Sequence, residues 1–411
     1  MEKKNVYRSQ FQPAPRRKLG GALGNESDYT LPIRRGSPYR SPTRTTRQLI
    51  KHFVRFTVIA MCIFLLDRVT GLRRSNWYAV WIRGKGTVKT DQEWNAGYDS
   101  LELGLDSLPL SFKLPSGDEI PTVALGTWKA PPAKVGAAVK AALETGYRHI
   151  DGAWIYGNEA EIGNALKEVE HHIPRGSLFL TSKLWNTFHN PEDVEAALDE
   201  TLSKLQTDYL DLYLMHWPIA QNAGDHTVDM ELSENPVRTW KKMEEMVRKG
   251  KVRNIGVSNF NIRRLQNLTS SDIEIWPAIN QVELNYWNPQ PELLTWSKKN
   301  NILLEAYSPF GGSDMVGKTL KLPVVQRIAK KLKITPAQAI VSWHVQRGTV
   351  VLPKSVDAGR ISENYHIYAL PSELFDELES AATSHRPHRL TDPSARWGVD
   401  IFEDEKEDQN S

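Results

Sequence analysis

The feature that most constrains the fold is an alternation of short apolar runs with amphipathic stretches of helical length, which begins near Leu108. Such an alternation is typical of repeated β-strand and α-helix units, in which each helix returns the chain so that successive strands lie parallel. Eight strand-like runs follow one another, at residues 123–125, 149–150, 178–180, 210–215, 255–257, 278–282, 303–307 and 350–352. Eight parallel strands can close into a barrel, although a doubly wound open sheet would show the same alternation.

The segments between and before these runs complete the pattern. Helices are predicted at residues 133–144, 159–170, 191–205, 236–249 and 291–299. Several of them begin with proline, which is favoured in the first helical turn. Residues 112–123 are predicted to form a β-hairpin whose turn contains Ser116, Gly117 and Asp118. The predicted fold class is therefore α/β, a TIM (β/α)8 barrel at residues 108–390 with an N-terminal β-hairpin and an acidic tail at 391–411.

The first hundred residues have a different character. Residues 1–50 are basic, rich in Arg, Ser, Pro and Gly, and without apolar periodicity, so we expect a disordered extension. Residues 51–107 carry one short apolar helix, predicted at 53–66, and a linker. The apolar run is shorter than the roughly 20 residues that span a bilayer. A short signal anchor, an interfacial helix, an organelle-targeting presequence and a helix packed on the barrel all stay open. The first two would tether a cytoplasmic catalytic domain to a membrane.

Composition argues against several classes of protein. Cys62 is the only cysteine, so the chain forms no internal disulfide, and no Cys and His set has zinc-ligand spacing, so no metal site is predicted. The net charge of +3 is weak evidence for any partner, and no nucleic-acid partner is predicted. No G-x-G-x-x-G motif follows a predicted strand, so a dinucleotide would bind without that fingerprint. The chain is expected to be a monomer.

Four ionisable residues lie at the predicted carboxyl ends of neighbouring strands. Asp151 and Tyr156 follow the second strand, Lys183 follows the third, and His216 follows the fourth. Reactive side chains of TIM barrels lie at these strand ends, so the four groups are expected to share one mouth of the barrel. Each alone has a structural explanation as a turn cap, a core residue or a surface lysine, but the combination favours catalysis.

The combination suits the reduction of a carbonyl group, which needs a hydride on carbon and a proton on oxygen. A phenol is a weak acid, with a pKa of about 10. We expect the Lys183 ammonium to lower the pKa of Tyr156 and the Asp151 carboxylate to keep that ammonium charged. His216 would donate a hydrogen bond to the carbonyl oxygen.

Sequence motifs surround these residues. They are DGAWIYGNE at 151–159, LTSKLW at 180–185, DLYLMHWP at 211–218, GVSNF at 256–260, NQVE at 280–283 and PKS at 353–355. In order and spacing they resemble the signature motifs of the aldo-keto reductase superfamily, over residues 112–378. The resemblance implies a TIM barrel and a catalytic tetrad of Asp151, Tyr156, Lys183 and His216, in which Tyr156 is the general acid in reduction and the general base in alcohol oxidation.

The resemblance also implies that NADP(H) is the cofactor. The implied contacts are Thr127, Trp128, Ser258, Asn259, Gln281, Tyr307, Ser308, Phe310, Lys354, Ser355, Arg360, Glu363 and Asn364. In the family, the residues matching Ser258, Asn259 and Gln281 hold the nicotinamide carboxamide, Tyr307 stacks on the ring, and residues 308–314 form a loop over the pyrophosphate. Glu363 and Asn364 match contacts to the adenine.

The positions that match contacts to the adenosine 2'-phosphate have suitable chemistry. Lys354 supplies a point charge, Ser355 a hydroxyl donor and Arg360 a forked donor. A phosphate dianion is well bound by such a set. NADPH is therefore expected rather than NADH.

The substrate is expected to be a small carbonyl compound. Trp128, Trp185 and Trp217 surround the same mouth as His216 and would form an apolar wall. The loop at residues 219–236 is short and acidic, which favours sugar- or polyol-derived aldehydes and ketones. Two alternatives stay open: a membrane-associated, cofactor-binding regulatory subunit with this fold, and an aldolase in which Lys183 forms a Schiff base.

Overall fold

The computed structural model of the chain describes residues 107–403. The predicted basic extension, the apolar run at 53–66, most of the linker and the last eight residues of the acidic tail lie outside the described residues. Within residues 107–403, no helix combines the length and the apolar character that a bilayer span requires.

The described chain alternates strands with helices, as the sequence predicts. The strands are β1 (Ser111–Lys113), β2 (Glu119–Pro121), β3 (Leu125–Gly126), β4 (His149–Asp151), β5 (Phe179–Leu184), β6 (Leu210–Met215), β7 (Ala220–Gln221), β8 (Val228–Asp229), β9 (Val252–Ser258), β10 (Ile279–Glu283), β11 (Leu303–Tyr307) and β12 (Val350–Leu352). The helices are α1 (Val135–Thr145), α2 (Glu159–Val169), α3 (Pro191–Leu205), α4 (Met230–Glu234), α5 (Val237–Arg248), α6 (Ile262–Thr269), α7 (Pro291–Lys299), α8 (Val316–Leu320), α9 (Pro323–Leu332), α10 (Pro336–Gln346), α11 (Ala358–Tyr365), α12 (Ser372–Thr383) and α13 (Ser394–Trp397).

Eight of these strands form one parallel sheet that curls into a barrel. The strand order is β12-β11-β10-β9-β6-β5-β4-β3. Backbone hydrogen bonds then join the two ends of the sheet: Ala124 N donates to Val351 O over 2.9 Å, and Gly126 N donates to Pro353 O over 3.1 Å. The prediction of a TIM barrel, rather than an open sheet, is confirmed.

The predicted N-terminal hairpin is also confirmed and lies at the amino ends of the barrel strands. β1 pairs with β2 in antiparallel register, with Phe112 opposite Ile120. The hairpin turn is tied to the barrel because Asn254, near the start of β9, donates to the Asp118 carboxylate over 2.8 Å. The opposite end of the barrel is therefore left for the loops that follow the strands.

The barrel strands are covered on both faces. Every residue of β5 and of β6 is buried, as expected for parallel strands between a filled interior and an outer layer of helices. Helices such as α1 bury an apolar stripe against them, with Val135, Val139 and Leu143 each at most 1% exposed. Proline opens α3, α7, α9 and α10 in the first turn.

Residues 219–236, predicted as a loop, contain regular structure. β7 and β8 form a small antiparallel hairpin, and α4 follows with Asp229 as its N-cap, accepting from Leu232 N over 2.9 Å. Strands of two residues are too short to show apolar periodicity, so the sequence gives no sign of them.

Candidate active site

A buried ion pair lies at the carboxyl ends of β4 and β5. Lys183 Nζ donates to Asp151 Oδ1 over 2.7 Å and to the Gly152 carbonyl over 2.7 Å. The Lys183 side chain is 0% exposed and the Asp151 side chain 5%. An ammonium is stable at such a position only if it is paired and hydrogen-bonded. The geometry meets both conditions.

Tyr156 and His216 lie beside this pair. Tyr156 ends a short 3-10 turn, Trp154–Tyr156, which closes at Gly157 with a left-handed φ of 68°. The centre of its ring is 5.3 Å from Lys183 Nζ and 5.8 Å from the centre of the His216 ring. The structure thus brings the four residues of the predicted tetrad to one mouth of the barrel.

The pKa of Tyr156 differs from the sequence-based expectation. Burial of the phenol, and then the nearby Asp151 charge, raise this pKa well above its usual value of 10. We had expected the Lys183 ammonium to lower it. The difference has a physical cause, because burial penalises the phenolate, and the charge of Asp151, which pairs with Lys183, lies close enough to disfavour it further. Tyr156 therefore carries its proton at neutral pH.

His216 is a buried, neutral imidazole. Its backbone N donates to Leu184 O over 3.0 Å, which places the residue beside β5. Burial, then the charge of Lys183 and the neighbouring His189, lower the pKa of His216 well below 6.5. A neutral ring has one N–H to donate, and no described residue is hydrogen-bonded to the buried Nδ1.

The residues predicted to contact a carboxamide form one hydrogen-bonded group. Ser258 Oγ donates to Gln281 O over 2.8 Å, and Asn259 Nδ2 donates to His216 O over 3.0 Å. The Tyr307 hydroxyl donates to Asn259 Oδ1 over 2.7 Å. Asn259 has a left-handed φ of 66°, a sparsely populated conformation that tends to occur at functional sites. This group adjoins the tetrad through the His216 carbonyl.

Two cations follow β12 at the rim. Lys354 and Arg360 are both exposed. The pKa of Lys354 is lowered, first by partial burial and then by the Arg360 charge. Within the part of the chain that the structure describes, no acidic side chain pairs with either of them. Buried Ser355 follows Lys354, and Asn364 is buried on α11, where Glu363 is half-buried.

The remaining predicted cofactor contacts lie around the same mouth. Thr127 is buried, and its hydroxyl donates to Asp151 O over 2.8 Å. Trp128 next to it is 42% exposed. Ser308, after β11, has a left-handed φ of 50°, and Phe310 is half-buried.

Aromatic side chains line the approach to His216. The rings of Trp185 and Trp217 are centred 5.3 Å and 6.4 Å from the His216 ring. Trp397 on α13 meets Trp217 edge-on, with the ring centres 5.2 Å apart. Buried Phe402 also packs against Trp217. The C-terminal segment therefore contributes to this wall.

Sequence reasoning missed three residues near the site. Trp397 lies far from any motif, so no local signal identifies it. Glu283, at the end of β10, accepts hydrogen bonds from Leu390 N and Thr391 N, over 3.0 and 2.7 Å, and thereby anchors the C-terminal segment. Glu305 is fully buried inside the barrel. A charged residue in the middle of an otherwise apolar strand was the available signal for Glu305.

Comparison with known proteins shows to which family the chain belongs. The sequence profile described as "Aldo/keto reductase family" matches residues 122–383. Aldo-keto reductase family 1 member A1 of Bos taurus is 46% identical over 271 residues, which are 62% of this chain and 83% of that protein. Glycerol 2-dehydrogenase (NADP(+)) of Saccharomyces cerevisiae is 41% identical over 300 residues, 69% of this chain and 94% of that protein. The solved aldose reductase of Schistosoma japonicum superimposes with a TM-score of 0.65 at 39% identity, over 71% of this chain and 97% of that one. The chain belongs to the aldo/keto reductase family.

Proposed function

We propose that this protein reduces small aldehydes and ketones to alcohols, reversibly, with NADPH as the cofactor. One observation carries the proposal: the buried Lys183 and Asp151 ion pair lies beside the Tyr156 ring and near His216. Relatives named glycerol 2-dehydrogenase (NADP(+)) and aldehyde reductase support the same chemistry.

The residues present fit NADP(H). Lys354 and Arg360 lie close enough for one charge to lower the pKa of the other, and an anion between them would relieve their repulsion. A phosphate dianion is a suitable ligand for these two cations, and it could also accept a hydrogen bond from the hydroxyl of Ser355. At the other end, Ser258, Asn259 and Gln281 offer donors and acceptors for a carboxamide, with Tyr307 beside them. NADPH, when bound, supplies the hydride for the carbonyl carbon.

Tyr156 donates the proton. Its raised pKa keeps the phenol protonated near pH 7, which is the form that reduction needs. The oxygen that develops as the carbonyl is reduced becomes a strong base, because an alcohol is a weaker acid than a phenol. The proton therefore moves from Tyr156 to that oxygen. Alcohol oxidation needs the phenolate, so we expect the rate of oxidation to rise with pH.

Lys183 and His216 assist this transfer. The Lys183 ammonium lies near the Tyr156 ring, where it stabilises the negative charge that remains on the phenol oxygen once the proton has left. Asp151 holds the ammonium in place. Neutral His216 can donate one N–H to the carbonyl oxygen, which polarises the carbonyl group and fixes its direction.

The aromatic wall favours a small substrate. Trp185 and Trp217 lie beside His216, and Trp397 packs against both of them, so the three rings restrict the space on this side. Small polar compounds such as glyceraldehyde would fit such a site. Glycerol, the compound in the name of the yeast glycerol 2-dehydrogenase, is of similar size. We therefore propose sugar- and polyol-derived carbonyls as the substrate class.

The proposal is tested by the loss of NADPH absorbance in the presence of glyceraldehyde. We expect steady oxidation with a turnover on the order of 1 per second or faster. Cofactor that binds without turnover, over a panel of small aldehydes, would contradict the proposal and favour the regulatory-subunit alternative.

A further inference from the structure

Glu305 is a buried carboxyl group that the proposed reduction does not use. It lies in the middle of β11 and is 0% exposed. The interior of a TIM barrel is normally filled by layers of apolar side chains. An acid at this position has to be accommodated by its neighbours, so its contacts indicate its role.

The main contact of Glu305 is with Gln281 on the neighbouring strand. Gln281 Nε2 donates to Glu305 Oε2 over 2.8 Å and to Asp151 Oδ1 over 2.8 Å. Both hydrogens of the amide are therefore used by carboxyl groups. An amide turned the other way would place its oxygen against the Asp151 carboxylate, which has no proton to donate. Asp151 thus determines which way the amide is turned, and Glu305 accepts from the same Nε2 group and holds it in place.

The charges that face Glu305 come from β4 and β5. Asp151 is paired with Lys183. His149 Nε2 lies 3.8 Å from Glu305 Oε1, and burial lowers the pKa of His149 to about 4, so this ring is neutral. Burial, and then the Asp151 charge, raise the pKa of Glu305 to about 8. Near pH 7 the cluster therefore holds one cation and one anion, and Glu305 keeps its proton.

We propose that Glu305 is a positioning residue for the nicotinamide carboxamide: together with Asp151 it fixes the amide of Gln281 so that the amide oxygen is left for a donor on the cofactor. The inference rests on the proposed function, because it takes a bound carboxamide as the partner of Gln281. Among residues 107–403, nothing donates a hydrogen bond to that amide oxygen.

A second consequence concerns the charge of the cofactor. Deprotonation of Glu305 in alkaline solution adds a negative charge that only Gln281 separates from the bound carboxamide. The oxidised nicotinamide ring is positively charged and the reduced ring is neutral. Ionised Glu305 therefore favours NADP+ over NADPH, and the ratio of the two dissociation constants reports its charge. The 2'-phosphate does not disturb this ratio, because both forms of the cofactor carry it.

The experiment measures the dissociation constants of NADP+ and NADPH by quenching of tryptophan fluorescence. The wild type is compared with Glu305→Gln, which keeps the acceptor but cannot ionise, and with Glu305→Leu, which removes the acceptor. Glu244→Gln is the matched control, since Glu244 is also buried but accepts hydrogen bonds from Glu274 N and Ile275 N outside the barrel. Circular dichroism checks that each variant is folded.

For Glu305→Leu we expect the NADP+ dissociation constant to rise about tenfold, as for the loss of one buried hydrogen bond. Between about pH 6.5 and about pH 9.5, the ratio of the NADP+ dissociation constant to the NADPH dissociation constant should fall in the wild type and in Glu244→Gln. The same ratio should not change in Glu305→Gln. The inference would be overturned if folded Glu305→Leu bound NADP+ as tightly as the wild type, or if the ratio in Glu305→Gln changed with pH as it does in the wild type. If Glu305→Leu does not fold, the pH dependence of the ratio in Glu305→Gln decides. A wild type that binds neither cofactor would instead overturn the proposed function.

Discussion

Lys354 and Arg360 are the side chains to which we assign the proposed preference for NADPH. Both are exposed cations without an acidic partner among the described residues, an arrangement that suits a phosphate dianion. In the proposed complex other residues would contact the nicotinamide end, which is the same in NADPH and NADH. Discrimination between the two cofactors is therefore assigned to this pair.

Replacement of either cation tests this assignment. We expect Lys354→Ala and Arg360→Ala each to raise the KM for NADPH by roughly 10- to 100-fold, because a hydrogen bond to a charged group contributes about 1.5–3 kcal/mol. The KM for NADH should hardly change. Initial rates with both cofactors give the answer, and Lys330→Ala, at an exposed lysine on α9, is the control. Equal increases for NADPH and NADH would show that these residues do not contact the 2'-phosphate.

Individual elements show what the sequence could predict and what it could not. β6 and α3 have the predicted bounds, because long runs with a clear period are unambiguous. β5 continues to Leu184, four residues beyond its predicted end. The prediction stopped at Leu180 because polar residues follow, but Thr181 and Lys183 point into a polar barrel interior, where they bond to His149 and Asp151.

The C-terminal segment shows a second limit. The sequence placed the tetrad residues together because they follow neighbouring strands of one barrel. Trp397 and Phe402 reach the same mouth through tertiary contacts with Trp217, which lies 180 and 185 residues earlier in the chain. No local pattern encodes such a contact. Site residues at strand ends could thus be predicted, whereas those supplied by the segment after α12 could not.

The contact of α13 with the aromatic wall leads to a prediction for substrate binding. We expect Trp397→Ala to raise the KM for a small aldehyde several-fold while the NADP+ dissociation constant stays unchanged, since the ring contacts Trp217 and Trp185 but no predicted cofactor residue. Steady-state kinetics with glyceraldehyde measures the effect. Trp276→Ala, at a tryptophan that is 48% exposed, is the control. An unchanged KM would place α13 outside the substrate site.

At the scale of residues 107–403, a closed barrel is combined with a mouth built by several separate segments. Strands β4 and β5 hold the ion pair, the turn after β4 holds Tyr156, and the chain after β6 holds His216. The C-terminal segment covers the aromatic side and is anchored by Glu283. Because these elements are fixed by the barrel, Tyr156 is held in one position relative to Lys183 and His216. The proposed reduction depends on Tyr156 as the proton donor.

Replacement of Tyr156 by Phe is the most direct test, because it removes one hydroxyl and leaves the ring in place. We expect kcat for aldehyde reduction to fall by about 100-fold or more, the usual contribution of a general acid, while the NADP+ dissociation constant stays near the wild-type value. Tyr368→Phe, at a tyrosine that is 42% exposed, should behave as wild type. A Tyr156→Phe enzyme that binds NADP+ and keeps most of the wild-type kcat would contradict the assignment of Tyr156 as proton donor.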